Sequence, residues 1–277
     1  MAIGAALCLA VPTGAAKAGN GLNAIAVGLE ANAMGGADLA VARDTFALNS
    51  NPAGLVRTRG LATDLQLTGA RLFTEHDDDF GPDATIDNEY AYVGNLGIAG
   101  RLGNYPVTLG ATFAVTGGGG FDYGDVTTPF GNQDNLSSLF GVVRGSVGGA
   151  WEVTERLAVG GSFGLSYAVL DQKFFPDTFS ADPLFVGTEI RNATALGTGF
   201  RVGVQFRATE TVTFGAAYGS KIDLPVRDGT LRANFGLGKG KVDYDDLKID
   251  GLAQAAEIGA GIAWQVTPTW LMAADLT

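Results

Sequence analysis

Residues 156–170 read RLAVGGSFGLSYAVL. In an extended chain Leu157, Val159, Phe163, Leu165, Tyr167 and Val169 fall on one face, and Ala158, Gly160, Ser162, Gly164, Ser166 and Ala168 on the other. Residues 196–207 repeat the pattern. Leu196, Phe200, Val202, Val204 and Phe206 oppose Gly197, Gly199, Arg201, Gly203, Gln205 and Arg207. Val107, Leu109, Phe113 and Val115 alternate likewise with Thr108, Gly110, Thr112 and Thr116. A period of two means strands with one apolar face. A soluble sandwich would read the same way, so length and connections have to decide.

Strands are expected at 60–74, 89–102, 106–118, 138–153, 156–171, 194–207, 210–222, 252–266 and 269–277. Most are about twice the usual length of soluble strands, roughly 5–6 residues. Short connections at 103–106, 154–156, 208–210 and 267–268 alternate with long ones at 75–88, 121–136, 172–192 and 221–250. Long strands, apolar outside and small or polar inside, with short turns at one end and long loops at the other, predict an all-β transmembrane antiparallel barrel. Nine strands is an odd number, and an unclosed barrel exposes a backbone edge to lipid, so the sequence is expected to be a fragment.

Composition narrows the function. Of 277 residues, 46% are hydrophobic, 17% are charged and 42 are glycine, which suits closely packed strands. The net charge of −11 argues against nucleic acid as a partner. The one cysteine, Cys8, sits in an apolar leader that ends at Ala16-Lys17-Ala18. Residues 1–18 read as a partial signal peptide that lacks its basic start. Leu7 is too bulky for the position before a lipidated cysteine. The mature chain then has neither disulfides nor cysteine chemistry. One histidine, His76, gives little to an enzyme, and no cofactor or metal is expected.

The stretch ahead of the first strand lacks the alternation. It contains Gly19-Asn20-Gly21-Leu22-Asn23-Ala24-Ile25, then Asn32-Ala33-Met34-Gly35-Gly36-Ala37, then Asn49-Ser50-Asn51-Pro52-Ala53-Gly54-Leu55. Gly-Gly-Ala followed by Asn-Pro-Ala-Gly-Leu, just after a secretory cleavage site, resembles the N-terminal hatch of FadL-type outer-membrane transporters. The resemblance extends over essentially the whole chain and is densest in 19–59 and 194–275.

It implies a fourteen-stranded barrel of which roughly a third is missing. A hatch of residues 19–59, with Gly35, Gly36, Asn51, Pro52 and Ala53, would lie in the lumen, and residues 60–277 would form the wall. The implied function is passive uptake of hydrophobic molecules across the bacterial outer membrane, with long-chain fatty acids as first candidates. Outer loops would capture substrate, and a gap in the wall would release it sideways.

Residue assignments follow from both sources. Gly117, Gly118, Gly119 and Gly120 close the third expected strand. Glycine there reads as a flexible loop start, while the resemblance makes it a kink that opens the lateral exit. Arg101, Arg144, Arg201, Arg207, Glu152 and Glu257 fall on the inward face, either as a salt-bridge network or, for Arg144 and Arg201, as receptors for a carboxylate. Lys173-Phe174-Phe175, after Tyr167, resembles the basic-aromatic end of the fifth strand where the family contacts a ligand carboxylate. With Phe179, Leu184, Phe185 and Val186 these aromatics form an apolar loop cluster.

The acidic run Glu75-His76-Asp77-Asp78-Asp79 matches no EF-hand and reads as a solvated loop tip, the alternative being a divalent-ion bridge to lipopolysaccharide. A monomer in contact with outer-membrane lipid and lipopolysaccharide is expected. Uptake of aromatic hydrocarbons is the alternative within the family. A general porin and an outer-membrane enzyme are the alternatives outside it.

Overall fold

Strands form at all nine places that the alternation marks. The computed structural model describes residues 23–58, 60–179, 185–236 and 239–277. The leader, residues 19–22 and Leu184 lie outside the described residues. The strands are β1 Leu61–Arg71, β2 Tyr90–Arg101, β3 Val107–Thr127, β4 Gln133–Thr154, β5 Leu157–Phe174, β6 Gly187–Arg207, β7 Val212–Gly219, β8 Val226–Asn234, β9 Lys241–Tyr244, β10 Glu257–Thr267 and β11 Trp270–Leu276. The wall is antiparallel in the order β1-β2-β3-β4-β5-β6-β7-β10-β11. The β8–β9 hairpin pairs with the first half of β6, and β7 with its second half.

Four strands, β3 to β6, exceed their expected limits by three residues or more. β3 continues past Gly120 to Thr127, β4 starts at Gln133, and the expected long loop at 121–136 shrinks to a turn at 128–132. The glycines do not end β3, because β4 pairs with it from Val107 to Thr127 and carries it through. A strand crosses a bilayer in about 9–11 residues. β3 and β4, of 21 and 22 residues, therefore stand well beyond the bilayer on the long-loop side.

The two faces differ in chemistry. Leu61, Leu65, Leu96, Ile98, Leu109, Phe113, Val147, Phe163, Leu196, Phe200, Phe214 and Ile258 are exposed on the outside of the curve. A charge at mid-bilayer on such a face costs roughly 2–4 kcal/mol; Asp64, Arg144, Arg201 and Glu257 lie on the inner face, and the outward Arg71, Asp171 and Lys173 come only at strand ends. All three tryptophans, Trp151, Trp264 and Trp270, are exposed beside the short turns. That girdle marks a membrane interface, where an amphipathic ring keeps its N–H in the wet layer. No helix among the described residues is long and apolar enough to cross a membrane.

Residues 23–58 lie against the inner face. They hold a short helix, Leu29–Ala33, and two 3₁₀ turns, Thr45–Asn49 and Pro52–Arg57, capped by Asp44 and Asn51. The segment reaches strands from one edge of the wall to the other: Asp64 on β1 accepts from Thr45 N at 3.0 Å, and Asp275 on β11 accepts from Asp38 N at 2.7 Å. One short segment can touch both edge strands only if the sheet curls around it. Between the edges the wall supplies glycine. A Cβ would stand 2.0 Å from Thr45 Oγ1 at Gly97, 2.4 Å from the Pro52 carbonyl carbon at Gly160, 2.0 Å from Asn51 Oδ1 at Gly203, and 2.0 Å from the Leu39 carbonyl oxygen at Gly215. Part of the wall's glycine therefore serves as a seat for this segment.

Candidate functional site: a lumen cavity and a slot in the wall

Asn51 is fully buried and uses its whole amide. Its Nδ2 donates to the carbonyls of Leu39 (2.7 Å) and of Val204 on β6 (3.0 Å), while Oδ1 accepts from Ala53 N at 3.2 Å. Pro52 follows at the first position of the 3₁₀ turn, where a missing N–H is harmless. Asn-Pro-Ala thus fixes a turn and staples it to the wall.

Above this turn lies a cavity of about 900 Å³, bounded by Asn23–Val27, Gly35 and Gly36 of the N-terminal segment, by Arg144 and Arg201, and by Ile222. The connection after β7 folds inward to form its roof. Ile222, Leu224 and Val226, with Leu247, Ile249 and Leu252, pack on Val142, Ala168, Ala193 and Ala195 of the inner face. Nothing in the sequence of that connection distinguishes it from an ordinary outer loop, which is how its position was missed.

The two lumen arginines differ. Arg201 pairs with Glu257 at 2.7 Å and donates to the Ser50 carbonyl at 3.3 Å. It is held as a structural ion pair, although its Nε, like that of Arg144, is buried without a partner. Arg144 is 8% exposed and has no carboxylate within 4 Å among the described residues. It donates one bond, from NH2 to the Gly199 carbonyl at 3.1 Å, and its Nε is buried without a partner. Cross-strand from it, Ser166 Oγ is also buried and unpartnered. Buried polar groups are ordinarily satisfied, so this corner of the cavity has bonding capacity to spare. Arg101 pairs with Glu152 at 3.5 Å, while Arg207 lies at the short-turn side, beneath the N-terminal segment.

At the outer end, Phe130, Phe174, Phe175 and Phe185 form one aromatic cluster, with ring centroids 4.7 Å apart for Phe130–Phe185 and 4.8 Å for Phe174–Phe175. Phe130 was missed because it sits alone in a turn. Phe179 lies beside Gly236 and is 40% exposed. Lys173 is exposed at the end of β5, opposite Glu189 in the ladder, and does not line the cavity with Arg144. In the acidic run, His76 meets Asp78 at 3.0 Å, and no metal-holding group occurs among the described residues.

The wall itself is interrupted. β2 pairs with β1 from Gly100 to Tyr90 on its own side, but its ladder with β3 stops at Leu96–Phe113. Beyond that point β4 is the one described strand that pairs with β3, through a bulge between Val115 and Gly117, where Gly118 adopts a φ of 139°, until Asp87 N donates to the Asp122 carbonyl at 2.6 Å. A side chain at Gly118 would be strained and would meet the Phe140 carbonyl oxygen at 2.6 Å. Residues 90–95 and 114–120 therefore flank a slot, roughly 20 Å long at ~3.3 Å per residue. Asn23 forms a lone bridge with Gly117, and Ala24 N donates to the Thr116 carbonyl at 2.9 Å. The N-terminal segment thus lines both the slot and the cavity.

Two carboxyls in that segment titrate abnormally. Burial is the larger cause of a rise to about 6 for both Asp38 and Asp44, with repulsion from Asp44 and Asp275 at the first and from Asp64 at the second. A raised acid pKa means that the folded state holds its proton more tightly, so seating strengthens as pH falls through about 6 and weakens above it. Amide exchange across 38–58, corrected for its intrinsic rate, should slow roughly ten- to hundredfold from pH 7.5 to pH 5, about tenfold for each carboxyl. The pair Asp38→Asn and Asp44→Asn should flatten that profile.

No family model matches the chain, nor does any curated protein sequence. Solved structures do. The toluene transporter TodX of P. putida superposes with a TM-score of 0.72 at 23% identity, over 88% of this chain and 68% of its own. The Ralstonia pickettii toluene transporter TbuX gives 0.69 at 22%, over 90% and 70%. A Pseudomonas aeruginosa FadL homologue gives 0.59 at 12%, over 86% and 65%. The chain has the fold of the FadL-type outer-membrane β-barrel transporters.

Proposed function

We propose that this chain carries hydrophobic small molecules across the outer membrane, with residues 23–58 as the plug. Substrate is captured at the outer aromatic cluster, passes to the cavity above the plug, and leaves sideways through the slot between β2 and β3. The slot is the observation that carries the reading. It interrupts an apolar wall at one place, next to the cavity, and a hydrophobic solute gains by leaving into lipid at ~0.8 kcal/mol per CH₂. Proteoliposomes holding the protein should take up a hydrophobic probe faster than empty ones while excluding small sugars. Swelling in sugar would mean an open pore.

Long-chain fatty acids are the first substrate candidates, because Arg144 offers a buried guanidinium with no carboxylate partner among the described residues. A charge-assisted bond is worth about 1.5–3 kcal/mol. Arg144→Met should therefore weaken binding of a fatty acid roughly ten- to hundredfold and leave its methyl ester nearly unchanged. The alternative is an aromatic hydrocarbon, favoured by what TodX and TbuX are named for. Equal binding of toluene by wild type and Arg144→Met, with no measurable fatty-acid binding by either, would select it.

A further inference from the structure

The lower end of the slot is built from side chains where a ladder should be. Continued register would pair Asn95 with Ala114 through the backbone. Instead Asn95, 4% exposed, turns its Oδ1 to accept from Val115 N at 2.9 Å, and its Nδ2 donates to Gln66 Oε1 on β1 at 2.9 Å. The same Gln66 oxygen accepts from Gly28 N at 3.0 Å, and Gln66 Nε2 reaches Thr68 Oγ1 at 3.2 Å. Four elements meet in this chain of bonds: β1, β2, β3 and the N-terminal segment. Gln66 is 7% exposed, so water is a poor substitute for any lost partner.

We propose that Gln66 and Asn95 are positioning residues that latch the slot. They tie Gly28, and with it the Asn23–Ala24 stretch on the edge of β3, to the strands on both sides of the break. With the latch made, the N-terminal segment covers the slot from within. With it broken, Gly28 is released, the bridge from Asn23 to Gly117 keeps only the bond that Gln254 Nε2 donates to Asn23 Oδ1 at 3.0 Å and that of Ala24 N to Thr116, and the slot clears. The proposal rests on the lateral-exit reading for its effect on transport, but not for its effect on the segment.

The test uses the full chain in liposomes and reads amide exchange at residues 23–28 beside flux of a fluorescent fatty acid. Gln66→Leu removes both accepted bonds, and exchange at Ala24 and Gly28 should rise roughly tenfold or more, with faster flux. Gln66→Glu keeps an oxygen for Gly28 N and for Asn95 Nδ2, and should restore wild-type exchange and flux. A residue that merely packs would not be rescued by a charged isostere. Asn95→Asp keeps the acceptor for Val115 N but loses the donor to Gln66, so exchange should rise at Gly28 more than at Val115.

Unchanged exchange in Gln66→Leu overturns the latch. Faster exchange in Gln66→Leu and Gln66→Glu alike also overturns it, since packing would then be the cause. Faster exchange with wild-type flux keeps the tether and overturns its gating of transport. No flux in the wild type removes the lateral-exit reading and leaves the exchange test standing.

Discussion

Cysteines in place of Asn23 and Gly117 should form a disulfide that abolishes uptake of hydrophobic probes, and dithiothreitol should restore it. The two residues already face each other in an antiparallel bridge, where Cα atoms lie about 4.5–5.5 Å apart, within reach of a disulfide. Gly117 lacks the positive φ of Gly118, so its backbone does not forbid a cysteine. Oxidation pins the N-terminal segment across the slot on the cavity side. Flux should fall to the level of empty liposomes, while binding at Phe130, Phe174 and Phe185 continues, because those rings lie at the far end of the lumen. The single variants control for the substitutions. Uptake at the wild-type rate in the fully oxidised protein would mean that substrate does not leave between β2 and β3.

The sequence carries the wall clearly, and the reason is geometric. Residues 157–169 and 196–206 alternate because one face meets lipid and the other meets the N-terminal segment, and that pattern has a period which no loop mimics. The ends were less legible. Gly117–Gly120 read as a stop because glycine weakens a strand, but a paired neighbour overrides local preference, and β4 supplies the pairing. The slot depends on a pairing that is absent, and absence of pairing leaves no trace in residue type. Asn95 and Gln66 were passed over for the same reason: a polar residue on an inward face looks like any lumen residue until its partner is known. The difference between Arg144 and Arg201 also needed coordinates, because Glu257 lies 56 positions from one and 113 from the other, and only the fold decides which it meets.

The seat beneath the Asn-Pro-Ala turn should tolerate almost nothing. Gly160 on β5 and Gly203 on β6 face this turn, and a Cβ would stand 2.4 Å from the Pro52 carbonyl carbon and 2.0 Å from Asn51 Oδ1. Real Cβ atoms do not approach so closely, and the obstacle at Gly160 is backbone, which cannot rotate away. Asn51 and Leu55, both fully buried, would have to lift together, and losing such a cluster costs upwards of ~3 kcal/mol. The strands themselves should survive Gly160→Val, since valine favours strands and the ladder with β4 and β6 is untouched. The expected phenotype is a folded wall with an unseated plug. Trypsin should cut at Arg43 and Arg57 roughly a hundredfold faster, by the same ~3 kcal/mol, and planar bilayers should show steady ion conductance that the wild type lacks. Gly161→Val, one residue away on the outer face, should do neither. If Gly160→Val conducts no ions while its plug is cleaved, residues 23–58 are not what closes the lumen.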